Sequence, residues 1–183
     1  MAIIDPKAEK AMREMLGHAI RGELQELAAK IQAAGDDTYR DVIRLCQAAA
    51  AYVAVDASER WPTEADVREI ARVVSEKETF YELEQDEVRA YLSRAALGFE
   101  PIDEALGGIE PAATLPVLIT GSLLFRFCPR GNEWWDYLDQ IWNSTLAAEN
   151  LDESVLPAVQ VRIHRTALLK AREEATPGGG TKG

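Results

Sequence analysis

The feature that most constrains the fold is an uncharged stretch over residues 111–125, fifteen residues that read PAATLPVLITGSLLF and end at Arg126. A helix that crosses a bilayer needs roughly 20 apolar residues, so this stretch is too short to span a membrane. A helix that is hydrophobic on nearly all sides is typical of the interior of a soluble domain. We therefore expect a buried central helix over residues 111–127, with the other helices packed against it.

The rest of the chain has apolar residues at helical spacing, and no segment shows the sustained alternation that is typical of a strand. The clearest sets with i, i+3, i+4, i+7 spacing are Val67, Ile70, Ala71 and Val74, followed by Val88, Tyr91, Leu92 and Ala95. Each set predicts a helix with one apolar side that must be buried. The sequence therefore predicts an all-α fold, a compact bundle of about seven helices around the central one.

Capping residues predict one long helix at the start of the chain, over residues 5–34. Asp5 stands directly before a proline, which is typical of a helix start, and Gly35 is typical of a helix end. Gly17 and Gly22 lie inside the pattern, where they favour the close approach of another helix or a bend.

A second helix is predicted over residues 36–57, and because the connection at Gly35 is short we expect it to form an antiparallel hairpin with the first. Thr63 and Asp66 resemble a capping box with Asp in place of Glu, so a third helix should begin there. Further helices are predicted over residues 84–97, after residue 132, and over residues 152–175.

The chain is predicted to form a single helical domain over residues 1–175, followed by a flexible, glycine-rich tail over residues 176–183. The loosest internal segment is 99–110, which contains proline and paired glycines. It divides the domain into two candidate units, residues 36–98 and 111–175.

The two candidate units resemble each other in the order of their helices. A shift of 71 residues places Ile70 on Ile141 and Val88 on Val159, and the apolar register agrees along three helices. Period and register are the basis for inferring a repeat, so we keep an internal duplication of a three-helix unit as a hypothesis.

The charge balance disfavours some classes of partner. The chain has 20 basic and 31 acidic residues and a net charge of −11. Such a surface repels nucleic acid and anionic lipid, so we expect neither a nucleic-acid nor a membrane partner. The charge favours a protein partner of basic character, or self-association.

The start of the chain, MAIIDPKAEK, lacks the apolar core of a secretory signal. The two cysteines, Cys46 and Cys128, do not form a disulfide framework and are expected to be reduced and buried. Together these features predict a cytoplasmic protein.

Four carboxylates near the first predicted turn are weak candidates for a metal site: Glu23, Glu26, Asp37 and Asp41. In an antiparallel hairpin they would come to similar heights, and grouped carboxylates bind Mg²⁺. The arrangement resembles the all-α nucleotide pyrophosphohydrolases of the MazG and dUTPase type, although the second pair here is Asp-x-x-x-Asp. The resemblance implies a Mg²⁺-dependent hydrolase. The simpler alternative is that Asp37 favours the start of a helix and the glutamates are solvated.

No other catalytic pattern is visible. His18 and His164 lack the neighbours of a zinc site, and the glycine run at residues 178–180 is not followed by a helix. The sequence therefore predicts no catalytic residue, and no cofactor apart from Mg²⁺ under the hydrolase alternative.

An aromatic and arginine cluster is the main candidate binding site. Its residues are Phe125, Arg126, Phe127, Arg130, Trp134 and Trp135, with Trp142 two turns further on. Adjacent residues on a helix point about 100° apart, so Trp134 and Trp135 cannot both face one core. Tryptophan and arginine are enriched at binding hot spots. The alternative is that these large side chains only fill the core.

These observations favour a non-enzymatic interaction or regulatory protein that binds its partner through the aromatic and arginine cluster. Two alternatives remain open. One is a small-ligand-binding protein with an apolar cavity between the central helix and the helix after it. The other is the Mg²⁺-dependent hydrolase.

Overall fold

The computed structural model describes residues 5–60, 62–76, 82–97 and 114–149. Within these ranges it contains seven α-helices and no strand, which confirms the predicted all-α class. The helices are α1 (Pro6–Arg21), α2 (Leu24–Ala34), α3 (Asp36–Ser58), α4 (Glu64–Glu76), α5 (Gln85–Leu97), α6 (Leu115–Phe127) and α7 (Trp134–Glu149).

Several predictions made from the sequence concern residues outside the described ranges. They include the helix over 152–175, the loose segment 99–110 and the tail 176–183. The division into two units and the 71-residue repeat depend on these residues, so both stay predictions.

The predicted helix over residues 5–34 is wrong, because Gly22 ends α1 and the chain reverses into α2. Gly22 has φ 74° and ψ 20°, the left-handed conformation in which glycine commonly ends a helix. Its N–H donates to the Ala19 carbonyl at 3.1 Å. Lys30 on α2 then pairs with Glu14 on α1 at 2.7 Å, so the two helices run in opposite directions.

Helix α7 also runs in the opposite direction to α1. Arg13 pairs with Asp139 at 2.5 Å. One turn later on α1, a Cβ at Gly17 would lie 3.8 Å from Cζ2 of Trp134, which comes earlier on α7. The C-terminal end of α1 therefore meets the N-terminal end of α7.

Helix α3 is likewise opposite in direction to α7. The Tyr52 hydroxyl donates to Ser144 Oγ at 3.4 Å, and the Tyr137 hydroxyl donates to Asp56 at 2.6 Å. Because α1 and α3 both oppose α7, they run in the same direction as each other. The expected antiparallel hairpin at Gly35 is therefore confirmed for α2 and α3, but it is wrong for α1, which runs parallel to α3.

The predicted buried central helix is confirmed as α6, while residues 111–113 lie outside the described ranges. Every residue from Pro116 to Leu124 is buried. The helix packs mainly against α1 and α3. At Gly121 a Cβ would lie 3.4 Å from Ala19 Cβ and from Ile20 Cγ1, so the glycine allows close contact with α1.

A chain of buried hydrogen bonds joins α6 to α5 and to α3. The Tyr91 and Thr120 hydroxyl oxygens lie 3.2 Å apart, and the Thr120 hydroxyl donates to the Cys46 carbonyl at 3.2 Å. Burial raises the pKa of the Cys46 thiol to about 12. The expectation for Cys46 is confirmed, whereas Cys128 is only partly buried because it lies in the turn after α6.

Local hydrogen bonds fix the helix starts much as their sequences predict. The Thr63 N–H donates to Asp66 at 2.8 Å and the Asp66 N–H to the Thr63 hydroxyl at 3.3 Å, which is a reciprocal capping box. At α7 the Glu133 N–H donates to Asp136 at 3.1 Å, so this helix is capped one residue after the expected Asn132. Among the described helices, none has the length and apolar character needed to cross a bilayer.

Candidate interaction surface

Three helix ends meet at one end of the bundle, which we call the aromatic end. They are the C-terminal ends of α1 and α6 and the N-terminal end of α7. The turn over residues 128–133 joins α6 to α7, and the Cys128 thiol closes it by donating to the Asn132 carbonyl at 3.1 Å. Gly131 has φ 90°, a conformation that favours glycine within this turn. The turn holds the exposed residues on its two sides close together.

Three large hydrophobic side chains are exposed in the described part of the chain, and all three lie at the aromatic end. Their exposed fractions are 60% for Phe125, 45% for Trp135 and 42% for Leu24. Phe125 is in the last turn of α6, Trp135 in the first turn of α7, and Leu24 starts α2 where α1 ends. Single exposed apolar residues are ordinary, whereas a group of them at one place makes this end of the bundle the candidate interaction surface.

Trp134 and Trp135 have different surroundings, as their 100° separation on the helix predicts. Trp134 is partly buried and packs against the core beside Gly17, whereas Trp135 is exposed. The two rings have centroids 5.6 Å apart and an interplanar angle of 77°, an edge-to-face arrangement. The packed indole therefore supports the exposed one and limits the conformational freedom lost on binding.

The remaining residues of the predicted cluster differ in exposure. Phe127 is partly buried and packs against the core, so it forms the base of the surface. Arg126 is partly buried, and Arg130 is exposed in the turn. Arg130 forms no ion pair with any described residue.

Trp142 belongs to the core and not to this surface, which corrects its predicted place in the cluster. Its exposed fraction is 4%, and its Nε1 finds no hydrogen-bond partner among the described residues. It lies on the length of α7 between Tyr137 and Ser144, both of which bond to α3, whereas Trp135 precedes that length. The position of each tryptophan along α7 therefore determines whether it is exposed or buried.

The aromatic end is electrically neutral in a strongly acidic chain. Residues 125–136 carry Arg126 and Arg130 against Glu133 and Asp136, while the whole chain has a net charge of −11. Asp136 accepts the Glu133 N–H, and neither carboxylate forms an ion pair within the described residues. Arg130, Glu133 and Asp136 can therefore pair with charges on another molecule.

Each predicted metal-site carboxylate except Glu26 lies beside a basic group. Glu23 Oε2 lies 2.6 Å from His18 Nδ1 and accepts from Arg21 at 3.0 Å, and these bonds lower the pKa of Glu23 to about 2, with Arg21 contributing most. Asp37 pairs with Arg40 at 3.2 Å and Asp41 with Arg44 at 3.1 Å, while Glu26 is exposed.

The structure does not bring these carboxylates together as the resemblance implied. All four lie in the described ranges, where no group of three or more His, Cys, Asp or Glu side chains is placed to hold a metal ion. The reversal at Gly22 is the physical reason. It places Glu23 immediately before α2, where its carboxylate bonds to His18 and Arg21 at the end of α1.

Leu24 was missed in the sequence because its exposure depends on the same reversal. In one continuous helix Leu24, four residues after Ile20 and three before Leu27, would lie within the apolar stripe and be expected to be buried. The signal available was a large apolar residue two positions after a glycine inside a helical pattern.

Comparisons with known proteins add no further constraint on this surface. No protein-family model matches the chain, and neither curated proteins nor solved structures give a match.

Proposed function

We propose that the protein acts by binding another protein through the aromatic end, as a non-enzymatic interaction or regulatory protein. The observation that carries the proposal is the joint exposure of Phe125 and Trp135 on the two sides of one short turn. The described residues give the other parts of the chain no comparable group of large apolar side chains.

The exposed rings are large enough to anchor a complex. Fully burying a large apolar side chain is worth about 1.5–3 kcal/mol, and aromatic anchors commonly dominate binding energy. Phe125 and Trp135 are only about half buried in the free chain, so a partner that binds there can bury most of their remaining exposed surface. Arg130 at the edge adds a planar donor group suited to carboxylates.

The proposal is tested by photocrosslinking from the surface itself. A benzophenone amino acid replaces Trp135 in one variant and Lys10, which is exposed near the start of α1, in a control variant. Irradiation in an extract of the native host should give discrete protein adducts from position 135 and none from position 10.

The second step uses Phe125→Ala in the chain that carries the crosslinker at position 135. The adducts should disappear, because the other anchor of the surface has been removed. Adducts that persist, or that form equally from position 10, would count against the aromatic end as the binding surface.

A second candidate function is supported by one observation in the core. The buried Nε1 of Trp142 lacks a hydrogen-bond partner among the described residues, and an unmet buried donor costs about 1–3 kcal/mol. A small polar-tipped ligand beside α6 and α7 would satisfy it. Native mass spectrometry of the purified chain checks this, because a retained metabolite adds mass. The hydrolase alternative has no corresponding support among the described carboxylates.

A further inference from the structure

We infer that the partner at the aromatic end is a second copy of this chain, which forms a symmetric dimer through Phe125 and Trp135. The inference rests on the proposed function and names its partner. Three properties of the described surface support a copy of the chain over a basic protein.

The first property is the neutral charge of residues 125–136. Two chains of net charge −11 repel each other across most of their surfaces. Screening acts over about 8 Å at physiological salt, so charges at the contact decide whether two copies can approach closely. A basic partner would gain little here, because Arg126 and Arg130 balance Glu133 and Asp136.

The second property is that Arg130 and Asp136 carry opposite charges and form no ion pair with each other. Arg130 lies in the turn and Asp136 in the first turn of α7, and neither forms an ion pair with a described residue. A two-fold axis places the same surface patch against itself. Arg130 of each copy can then meet Asp136 of the other, which gives two equivalent ion pairs at the edge.

The third property is the position of the apolar groups. Phe125 and Trp135 lie on the two sides of one turn, with Leu24 at the same end of the bundle, so a two-fold contact at the turn buries Phe125 and Trp135 of both copies. The centre of such a contact is apolar and its edge is charged, which is the usual anatomy of a specific interface.

The test is analytical ultracentrifugation of the full chain at concentrations up to about 100 μM, a range that covers micromolar dissociation. We expect a species of twice the 20.2 kDa chain mass. The double variant Phe125→Ala with Trp135→Ala should sediment as a monomer. Both side chains are exposed, so far-ultraviolet circular dichroism should show an unchanged fold.

Charge reversal then tests the symmetry. Arg130→Asp alone and Asp136→Arg alone each put like charges at both edges of a dimer, so each should weaken association at least tenfold. Mixing the two variants restores both pairs and should give a heterodimer of wild-type affinity. Arg40→Asp, which changes the same charge at the start of α3, is the matched control and should leave the dimer intact.

Two results would overturn the inference, and they differ in what they say about the proposed function. A wild-type chain that stays monomeric but crosslinks from position 135 to another protein removes the dimer and leaves the binding surface. If the aromatic and charge variants dimerise with wild-type affinity, the dimer contact lies elsewhere on the chain. If position 135 also fails to crosslink, the proposed function fails too.

Discussion

The two adjacent tryptophans of α7 show how one position changes the role of a side chain. Trp134 packs beside Gly17 and supports the ring of its neighbour, while Trp135 is exposed at the aromatic end. We therefore expect Trp134 to contribute mainly to folding stability and Trp135 mainly to the proposed binding surface.

Alanine variants should separate these two roles. Trp134→Ala removes a packed side chain and should lower the free energy of unfolding by about 2 kcal/mol or more, whereas Trp135→Ala should change it by less than about 1 kcal/mol. Urea unfolding followed by circular dichroism measures both. Equal losses would mean that the exposed ring is also part of the core.

Glu23 should make the stability of the α1–α2 hairpin depend on acid pH. Arg21 and then His18 lower its folded-state pKa from 4.5 to about 2, so the ionised carboxylate stabilises the fold above pH 4.5. That contribution is lost as the pH falls from 4.5 towards 2. The difference in stability between wild type and Glu23→Gln should therefore be present at pH 5.5 and shrink by pH 2.5.

The matched control for this prediction is Glu26→Gln, since Glu26 forms no ion pair within the described residues. Its difference from wild type should not shrink in the same way. Because more than a third of the Glu23 side chain is exposed to solvent, the effect is small and should decrease further in high salt. Identical pH profiles for the two variants would contradict the pairing.

At the scale of helices, the reversal at Gly22 determines which helix ends meet. Without it, α1 and α2 would form one continuous helix, and α1 would not end beside Trp134. The aromatic end exists because α1 stops at this glycine.

Two glycine substitutions in α1 should have opposite effects. Gly22→Ala puts a Cβ on a residue with φ 74° and should destabilise the protein by about 1–2 kcal/mol. Gly17→Ala adds a Cβ 3.1 Å from the end of the flexible Arg21 side chain, and alanine favours a helix by about 1 kcal/mol. It should be neutral or stabilising in thermal unfolding. A stabilising Gly22→Ala would instead favour a continuous helix.

Local signals predicted several elements of the fold because they act over a few residues. The Thr63–Asp66 box, the Asp5 cap and the uncharged run of α6 were all identified from neighbouring residues. The reversal at Gly22 was missed because the apolar pattern continues through it. The spacing of apolar residues does not distinguish a glycine inside a helix from a glycine that ends one.

At the scale of the whole molecule, the sequence predicted the direction in which a side chain points around its helix axis, but not whether that side chain is buried. Trp135 and Trp142 are seven residues apart and share one side of α7, yet one is exposed and the other buried. Helical spacing gives direction around the axis. How far along the axis the neighbouring helices extend depends on the tertiary arrangement. The prediction therefore included the exposed residues Phe125 and Trp135 correctly, but it was wrong to extend the surface to Trp142.

The edge-to-face pair of Trp134 and Trp135 also provides a built-in optical reporter. The centroids of the two indoles lie 5.6 Å apart with an interplanar angle of 77°, so a molecule that covers the outer ring also changes the surroundings of the inner one. The outer ring is open to solvent and to a collisional quencher such as acrylamide, while Trp142 is shielded. Occupation of the aromatic end should shift the emission to shorter wavelength and protect it from quenching, so unlabelled protein can report its own state.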